Sequence, residues 1–124
     1  NASIDVEIKD MALTTDKKLM TLVLKNLIDN GLKYGKNNKP VCIRTNHDAI
    51  EVVSEGEALK HPLSYYTEPF SQAEKRSTGF GLGLYIVHNI LEKLGYQLEY
   101  EHEEGKNIFM LVPQKKFTPL ETRR

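Results

Sequence analysis

Hydrophobic and polar residues recur along this chain with two different periods. A period of two, which is typical of half-buried strands, occurs over residues 4–9, 41–45, 50–53, 97–102 and 107–112. A period of three to four, which is typical of amphipathic helices, occurs over residues 17–34 and 83–94. The order of these elements predicts an α+β fold, a two-layer α/β sandwich in which a mixed, mostly antiparallel sheet of about five strands packs against two long helices.

Capping residues and apolar stripes define both helices. Thr14, Thr15 and Asp16 are residue types that cap a helix N-terminus, and Gly95 is typical of a residue that ends a helix. The stripes that we expect to face the core are Met20, Val23, Leu24, Leu27 and Ile28 in the first helix and Ile86, Val87, Ile90, Leu91 and Leu94 in the second. Residues 55–78 show no clear period, so this stretch is either functional or wrongly assigned.

The composition narrows the class of protein. The 124 residues fit a single domain, which we expect to have a core at residues 1–116 and a frayed tail at 117–124. Lys+Arg and Asp+Glu both number 17, which argues against a nucleic-acid-binding protein because such proteins carry a basic excess. The single cysteine, Cys42, excludes an intrachain disulfide, and we expect it to be a small buried hydrophobic residue. Since the chain begins with Asn1 and a strand pattern starts at once, we expect it to be part of a longer protein.

Three glycines at alternate positions, Gly79, Gly81 and Gly83, lie directly ahead of the second helix, which we expect to begin at about Gly83. A helix N-terminus beside backbone without side chains is a site for anions, usually phosphate. The run does not fit a dinucleotide-binding fingerprint, because Leu84 stands where the last glycine is needed, and it lacks the Gly-Lys-Ser/Thr end of a Walker A loop. The alternative for these glycines is a flexible hinge.

The first helix carries a polar face. Asn26, Asn30 and Lys33 share this face because they lie four and three residues apart, and Tyr34 flanks it. Asn is a poor helix former, so two of them at this spacing indicate a role other than helix stability. Amide oxygens are hard, neutral ligands suited to Mg²⁺, Lys33 can neutralise a phosphate, and Tyr34 can stack on a base. The alternative for each of these residues alone is a solvated helix surface.

Three segments taken together resemble the sequence boxes of a known family. Residues 26–34 (NLIDNGLKY) look like its N box, residues 68–70 (EPF) like its F box, and residues 79–84 (GFGLGL) like its G2 box. On these motifs the chain is similar to the ATP-binding catalytic domain of two-component sensor histidine kinases. That domain has the Bergerat fold and belongs to the superfamily shared with gyrase, a heat-shock chaperone and MutL. The resemblance extends from the first strand to about residue 112.

The resemblance implies that the cofactors are ATP and Mg²⁺. Asn30 is the expected Mg²⁺ ligand, and Asn26 lies where related ATPases place a water-activating Glu. Because an amide cannot take up a proton, Asn26 suits phosphoryl transfer to a protein side chain rather than hydrolysis. Lys33, and Lys75 or Arg76, are expected to contact the phosphates.

The resemblance also implies how the rest of the nucleotide is held. Tyr34 is expected to line the adenine pocket, and Phe70 to anchor a mobile ATP lid at residues 71–78 that becomes ordered when the nucleotide binds. The G2 residues expected to contact the nucleotide are Gly79, Gly81, Leu82, Gly83 and Leu84.

One box departs from the family pattern. The G1 box should read Asp-x-Gly-x-Gly after the strand at residues 50–53, and this chain has Ser54, Glu55, Gly56, Glu57 and Ala58 there. Ser54 thus replaces the Asp that accepts a hydrogen bond from the adenine amino group, which we expect to weaken binding by about 1–2 kcal/mol, roughly ten-fold in affinity. Glu55 is a substitute acceptor if the loop differs, and Gly56 keeps the first glycine of the box.

None of the four histidines has the sequence context of a phosphoacceptor. We therefore expect the acceptor to lie outside this chain, on a helical hairpin for dimerisation. The resemblance implies a catalytic fragment of a protein histidine kinase, with a response regulator downstream and no nucleic-acid partner. It implies a homodimeric parent protein, anchored in the bacterial inner membrane with this domain in the cytoplasm. The alternatives are a degenerate scaffold of the same fold that binds a partner protein, with weak or no ATP binding, and a relative that hydrolyses ATP or phosphorylates serine.

Overall fold

The computed structural model describes residues 4–7, 16–36, 38–68 and 81–114, which contain five strands and three helices. In chain order these are β1 (Ile4–Glu7), α1 (Lys17–Tyr34), β2 (Val41–Asn46), β3 (Ala49–Glu55), α2 (Leu63–Thr67), α3 (Gly81–Leu94), β4 (Tyr96–Glu103) and β5 (Lys106–Pro113). The strands form one sheet in the order β1-β2-β3-β5-β4, in which β1 is parallel to β2 and the other neighbours are antiparallel. This arrangement confirms the predicted α+β sandwich with a mixed sheet.

Helix α1 has the bounds that its sequence predicts. Asp16 caps it, because its side chain accepts a hydrogen bond from the Leu19 N–H at 3.0 Å. The expected stripe faces the core: Met20, Val23 and Leu27 are buried, and Leu24 and Ile28 pack at the edge. Gly31 lets the helix lie close to the sheet, since a Cβ there would be 2.8 Å from Cγ2 of Val41.

One face of the sheet packs against the helices, as the period of two predicts. The buried residues of this face include Val41, Ile43, Ile50, Val52, Leu98, Phe109 and Leu111. In α3 the predicted stripe is also in place, with Val87 and Leu91 buried, Ile90 and Leu94 packed against them, and Ile86 half-buried. A single core therefore joins the sheet to both long helices.

The outer face of the sheet holds a buried charge. Glu51 is 4% exposed, and its carboxylate accepts hydrogen bonds from Arg44 Nε at 2.6 Å and Asn46 Nδ2 at 3.2 Å. Cys42 is half-buried, so the prediction that it is a buried residue was wrong. The alternation in β2 explains this, because it turns the residues on either side of Cys42 toward the helices and Cys42 away from them.

Left-handed backbone conformations mark the connections that the sequence predicts. Glu104 (φ 52°) and Gly105 (φ 76°) form the two-residue turn between β4 and β5, and a positive φ at both positions is typical of a tight hairpin. His47 (φ 58°) lies in the turn between β2 and β3. Gly95 (φ 81°) follows α3 and ends it, as predicted.

Some bounds differ from those predicted. Helix α2 lies inside the stretch that has no clear period, because its five residues make little more than one turn and show no repeat. Strand β3 runs to Glu55, beyond the predicted end at residue 53, and α3 begins at Gly81, two residues before the predicted start. Residues 71–78, predicted to form a lid, and residues 117–124, predicted to be a frayed tail, lie outside the described residues. Within those residues, none of the helices combines the length and the apolar character needed to cross a membrane.

Candidate functional site

A cavity of about 640 Å³ lies between the C-terminal half of α1, the inner face of β3 and β5, and the loop that follows β3. This volume is within the roughly 300–1,000 Å³ usual for small-molecule pockets. Its lining includes Leu27, Asn30, Tyr34, Ser54, Gly56, Tyr66 and Asn107. The cavity therefore brings the N box and the altered G1 box together.

The floor of the cavity is formed by two pairs of residues that face each other across β3 and β5. Val52 is opposite Phe109, and Ser54 is opposite Asn107. The first pair is apolar and belongs to the core, whereas the second is polar. A flat ligand on this floor would therefore meet apolar surface at one part and hydrogen-bonding groups at the other.

The loop after β3 is held against the hairpin of β4 and β5 at its first residue. The Gly56 N–H donates to the Gly105 carbonyl at 2.9 Å, and His102 Nε2 lies 2.9 Å from the Gly56 carbonyl oxygen. Because a carbonyl only accepts, the His102 ring carries its proton on Nε2 in this contact. Both backbone groups of Gly56 are thus bonded to the hairpin.

A second set of hydrogen bonds holds the same loop at Glu57 and Leu59. The Leu59 N–H donates to the Tyr100 hydroxyl at 3.0 Å, and that hydroxyl donates to Asn107 Oδ1. Asn107 Nδ2 in turn donates to the Glu57 carbonyl at 2.9 Å. The wall of the cavity is therefore fixed by the chain itself, without a ligand.

Burial raises the pKa of Tyr100 above its usual value of 10.0, the hydrogen bond from the Leu59 N–H lowers it, and Tyr66 adds to the rise. Burial, with a smaller effect of the Asp48 carboxylate, also raises the pKa of Tyr96 on the same strand. Both phenols are therefore neutral at neutral pH, and Tyr100 keeps the proton that it donates to Asn107.

The end of α1 packs directly on the start of the loop. A Cβ on Gly35 would lie 2.5 Å from the Gly31 carbonyl oxygen and 3.1 Å from that of Glu55, which leaves no room for a side chain. The Lys36 N–H donates to the Glu55 carbonyl at 2.8 Å. This packing places Tyr34 and Lys36 at the cavity, where both contribute to its lining.

The two asparagines of the N box face the first turn of α3. A Cβ on Gly83 would lie 3.6 Å from Asn30 Nδ2, 3.7 Å from Asn30 Oδ1 and 3.9 Å from Asn26 Oδ1. Asn26 is held in place, because its Nδ2 donates to the Leu22 carbonyl at 2.9 Å. The absence of a side chain at Gly83 therefore leaves space in front of both amides. Both Asn side chains are half-buried rather than on a fully solvated helix surface.

Among the described residues, Asn30 has a buried side-chain atom that the fold leaves without a partner. Its Nδ2 is buried and has no hydrogen-bond partner. A buried donor without a partner destabilises a protein by about 1–3 kcal/mol. Because rotation exchanges the two ends of the amide, its oxygen can take the same place. A ligand in this space would satisfy the group.

The groups around the Asn30 amide show whether a magnesium ion fits beside it. In residues 4–7, 16–36, 38–68 and 81–114, no three His, Cys, Asp or Glu side chains come together as a metal site. A metal beside Asn30 would need most of its ligands from water and a bound anion. Mg²⁺ usually keeps several waters and shares phosphate oxygens, so Asn30 and the space at Gly83 fit this ion.

The structure places the other predicted site residues as follows. Lys33 is exposed, and its Nζ lies 5.2 Å from the centre of the Tyr34 ring. Neither Lys33 nor Asn26 belongs to the described lining of the cavity. Phe70, Lys75, Arg76 and Gly79 lie outside the described residues, and only the backbone is described at Gly81 and Leu82.

The structure also locates two other residues for which contacts were predicted. Glu55 is not part of the described cavity lining, because successive residues in a strand point to opposite faces and Ser54 takes the inner one. Leu84 has a fully buried side chain in the core, so its backbone is the part of it left to contact a ligand.

Sequence reasoning missed the part of the cavity that comes from β5. Asn107 and Phe109 were predicted to lie in a strand, but not to line a site. One signal was present: the alternation of β5 puts Asn107 on the same face as Phe109 and Leu111, where a polar residue is out of place. Tyr66 was missed because α2 was not predicted.

Comparisons with known proteins show the family of the chain. The profile of the family described as histidine kinase-, DNA gyrase B- and HSP90-like ATPase matches residues 15–116. The chain belongs to this family. Its predicted resemblance to the ATP-binding domain of sensor histidine kinases is thereby confirmed, and the curated relatives below agree with it.

Two curated relatives are similar over most of the chain. The sensor histidine kinase ArsS of Helicobacter pylori is 31% identical over 110 residues, which cover 87% of this chain and 26% of that protein. The sensor histidine kinase GlrK of Escherichia coli is 28% identical over 113 residues, which cover 84% of this chain and 24% of that protein. The chain thus spans about a quarter of the length of these relatives.

Solved structures share the fold. The nucleotide-free catalytic domain of the histidine kinase ThkA matches with a TM-score of 0.69 and 21% identity, covering 94% of this chain and 81% of that one. The histidine kinase AdeS of Acinetobacter baumannii matches with a TM-score of 0.69 and 21% identity, covering 93% of this chain and 55% of that one.

Proposed function

We propose that this domain binds ATP with Mg²⁺ and transfers the γ-phosphoryl group to a histidine on a helical hairpin outside the chain. One observation carries the proposal. Asn26 and Asn30 face Gly83, which has no side chain, in the first turn of α3. This contact lies beside a cavity large enough for a nucleoside. Family membership supports it, because the relatives ArsS and GlrK are named sensor histidine kinases.

The base occupies the cavity over the sheet. Val52, Phe109 and Leu27 give it apolar contacts, and Tyr34 lines the side next to the N box. The polar pair Ser54 and Asn107 meets the edge of the base. Binding in a cavity whose walls are already hydrogen-bonded needs little rearrangement, which favours affinity.

The phosphates extend from the cavity toward the first turn of α3. Backbone N–H groups there are unpaired within the helix and attract anions. Asn30 would hold Mg²⁺ through its amide oxygen, and a bound ion would supply positive charge beside the phosphates. Positive charge comes from Lys33, which is exposed and lies one turn after Asn30 in α1, and from Lys75 or Arg76.

Asn26 favours transfer of the phosphoryl group over hydrolysis of ATP. Its carboxamide is tethered to the Leu22 carbonyl and faces Gly83. An amide cannot take a proton from water, so this position does not supply a general base. Catalysis then depends on positioning and charge neutralisation, as in other phosphoryl transfers.

The parent protein is proposed to be a sensor kinase. Its own helical hairpin for dimerisation carries the acceptor histidine, and a response regulator takes the phosphate from it. By analogy with the family we propose a homodimer that is anchored in the bacterial inner membrane, with this domain in the cytoplasm.

Calorimetric titration of the 124-residue chain with a non-hydrolysable ATP analogue and Mg²⁺ tests nucleotide binding. We expect a dissociation constant below 1 mM, and about ten-fold weaker binding for Asn30→Ala. Asn46→Ala is the matched control, because Asn46 lies on β2 and bonds Glu51 rather than the cavity. Equal affinity of Asn30→Ala and the parent would disprove the metal assignment.

Phosphoryl transfer needs a second test. The chain is mixed with radiolabelled ATP, Mg²⁺ and a purified helical hairpin of its parent protein. We expect an acid-labile, base-stable label on the hairpin, as phosphohistidine gives. A label that resists acid would indicate serine phosphorylation, and release of phosphate without label on the hairpin would indicate hydrolysis.

A second candidate function is a scaffold that binds a partner protein and little nucleotide. Its support is the altered G1 box, in which Ser54 replaces the acidic acceptor and Ala58 the second glycine, and both residues line the cavity. A dissociation constant above 1 mM for the ATP analogue would favour it.

A further inference from the structure

The polar half of the cavity floor comes from two strands that are far apart in sequence. Ser54 on β3 and Asn107 on β5 are direct partners in the sheet, and both line the cavity. Ser54 is short and offers one hydroxyl, whereas Asn107 offers a carboxamide with two donor and two acceptor positions. At this point of the floor the larger hydrogen-bonding capacity lies on β5.

The orientation of the Asn107 amide is fixed by its neighbours. Tyr100 accepts from the Leu59 N–H, so its hydroxyl proton is free to be donated, and it goes to Asn107. The end of the amide that faces Tyr100 must therefore be the oxygen. The other end donates to the Glu57 carbonyl, which only accepts, and must be the nitrogen. The two contacts agree, so the amide is not free to turn over.

A fixed amide presents a fixed order of groups to a ligand. The contacts with Tyr100 and Glu57 use one acceptor and one donor position, which leaves one of each on Asn107. Adenine offers one donor and one acceptor on the edge that asparagine pairs with, whereas guanine offers two acceptors there. An amide held in one orientation matches adenine and leaves one group of guanine without a partner.

We propose that Asn107 reads the edge of the base in this cavity, and that Tyr100 is the positioning residue that holds its amide in the orientation that selects adenine over guanine. This inference rests on the proposed nucleotide binding. It assigns base selection to β5, whereas the family pattern places the acidic acceptor at the position of Ser54 on β3. In this chain Ser54 replaces that acceptor, and Asn107 lies opposite Ser54 as a second polar group.

The test compares the affinities of the chain for ADP and GDP, each with Mg²⁺, by calorimetry. The parent is expected to bind ADP at least ten-fold more tightly than GDP. Asn107→Ala is expected to lose about ten-fold in ADP affinity and to bring the two affinities within about three-fold of each other. Tyr100→Phe keeps the amide but removes one of the two contacts that hold its orientation, so it is expected to lower the ADP preference in part, with a smaller loss of ADP affinity.

Two matched controls separate base reading from general damage. Asn46→Ala removes an amide of the same sheet that bonds Glu51, and Tyr96→Phe removes a hydroxyl from the same strand as Tyr100. Both are expected to keep the ADP preference of the parent. Loss of the preference in these controls would overturn the assignment, because any change in the sheet would then have the same effect.

The outcomes distinguish this inference from the proposed function. If the parent binds ADP, and Asn107→Ala and Tyr100→Phe both keep its preference over GDP, base reading by Asn107 is wrong and nucleotide binding stands. If the parent binds neither ADP nor GDP, both proposals are wrong. Tyr100→Phe removes one hydroxyl, so it gives a result even if Asn107→Ala fails to fold.

Discussion

At the sheet end of the cavity the protein bonds its own polar groups, whereas at the helix end it leaves one of them without a partner. Asn107 has both a donor and an acceptor contact within the chain, and the loop beside it is tied to the hairpin. Asn30, on the other side of the same cavity, has a buried Nδ2 with no hydrogen bond. The first end is preorganised, and the second requires a ligand to complete it.

This difference separates the groups that contribute to the stability of the fold from the group that contributes to ligand binding. Groups that are satisfied within the fold contribute to its stability and set the shape that a ligand must match. A group that is left unsatisfied destabilises the empty protein and is satisfied when the ligand arrives. Substitutions at the sheet end should therefore lower stability as well as change binding, whereas substitutions at the helix end should weaken binding without lowering the stability of the empty protein.

The largest effect is expected from Phe109→Ala at the sheet end. Phe109 is 6% exposed, belongs to the core and packs on the Tyr100 ring at 5.0 Å between centres. Loss of a buried ring should reduce the free energy of unfolding by about 3–5 kcal/mol, measured by urea denaturation. Phe109→Leu is the graded control, with a loss of about 1.5 kcal/mol or less. A loss below 1 kcal/mol for Phe109→Ala would show that the floor is not part of the core.

The next effect is expected from Gly83→Ala at the helix end. Its Cβ would sit in ordinary contact with the Asn30 amide, so the fold should be kept while the space in front of both amides is filled. We expect Mg-ADP affinity to fall by roughly 100-fold, about 2.8 kcal/mol, in a calorimetric titration. The midpoint of thermal unfolding should remain close to that of the parent. Unchanged affinity would mean that the ligand does not use this space.

Asn30→Ala should have opposite effects on the empty and the liganded protein. It removes a buried donor without a partner and places a better helix former in α1, so the empty protein should gain about 1 kcal/mol in free energy of unfolding. Differential scanning calorimetry without nucleotide measures this change. A clear loss of stability would show that the Asn30 amide is already satisfied.

The smallest effect concerns alkaline pH. Burial raises the pKa of Tyr100 above 10.0, so the folded protein holds this proton more tightly than the unfolded chain does. The resulting stability is fully present below pH 10 and is lost as the pH rises through the raised pKa. Tyr100→Phe should therefore reduce the loss of stability above pH 10, measured by denaturation at several pH values. If Tyr100→Phe lost as much stability above pH 10 as the parent, another group such as Tyr96 would be the cause.

The sequence predicted the two long helices and the N-box face because helix geometry fixes which residues share a side. It could not predict that Ser54 meets Asn107, because that pairing depends on the register of strands 53 residues apart in sequence. The sequence left Glu55 open as a substitute acceptor because it did not show that β3 runs two residues further than predicted, which places Ser54 and not Glu55 in the described lining of the cavity. The short helix that brings Tyr66 to the site had too few residues to show a period.

The central claim is that Asn30 holds a magnesium ion on the phosphates of a nucleotide in this cavity. The most direct measurement is the affinity for ADP with Mg²⁺ and with EDTA, in the parent and in Asn30→Ala. We predict that Mg²⁺ tightens binding about ten-fold in the parent and has almost no effect in the variant. An equal effect of Mg²⁺ on both proteins would contradict the claim.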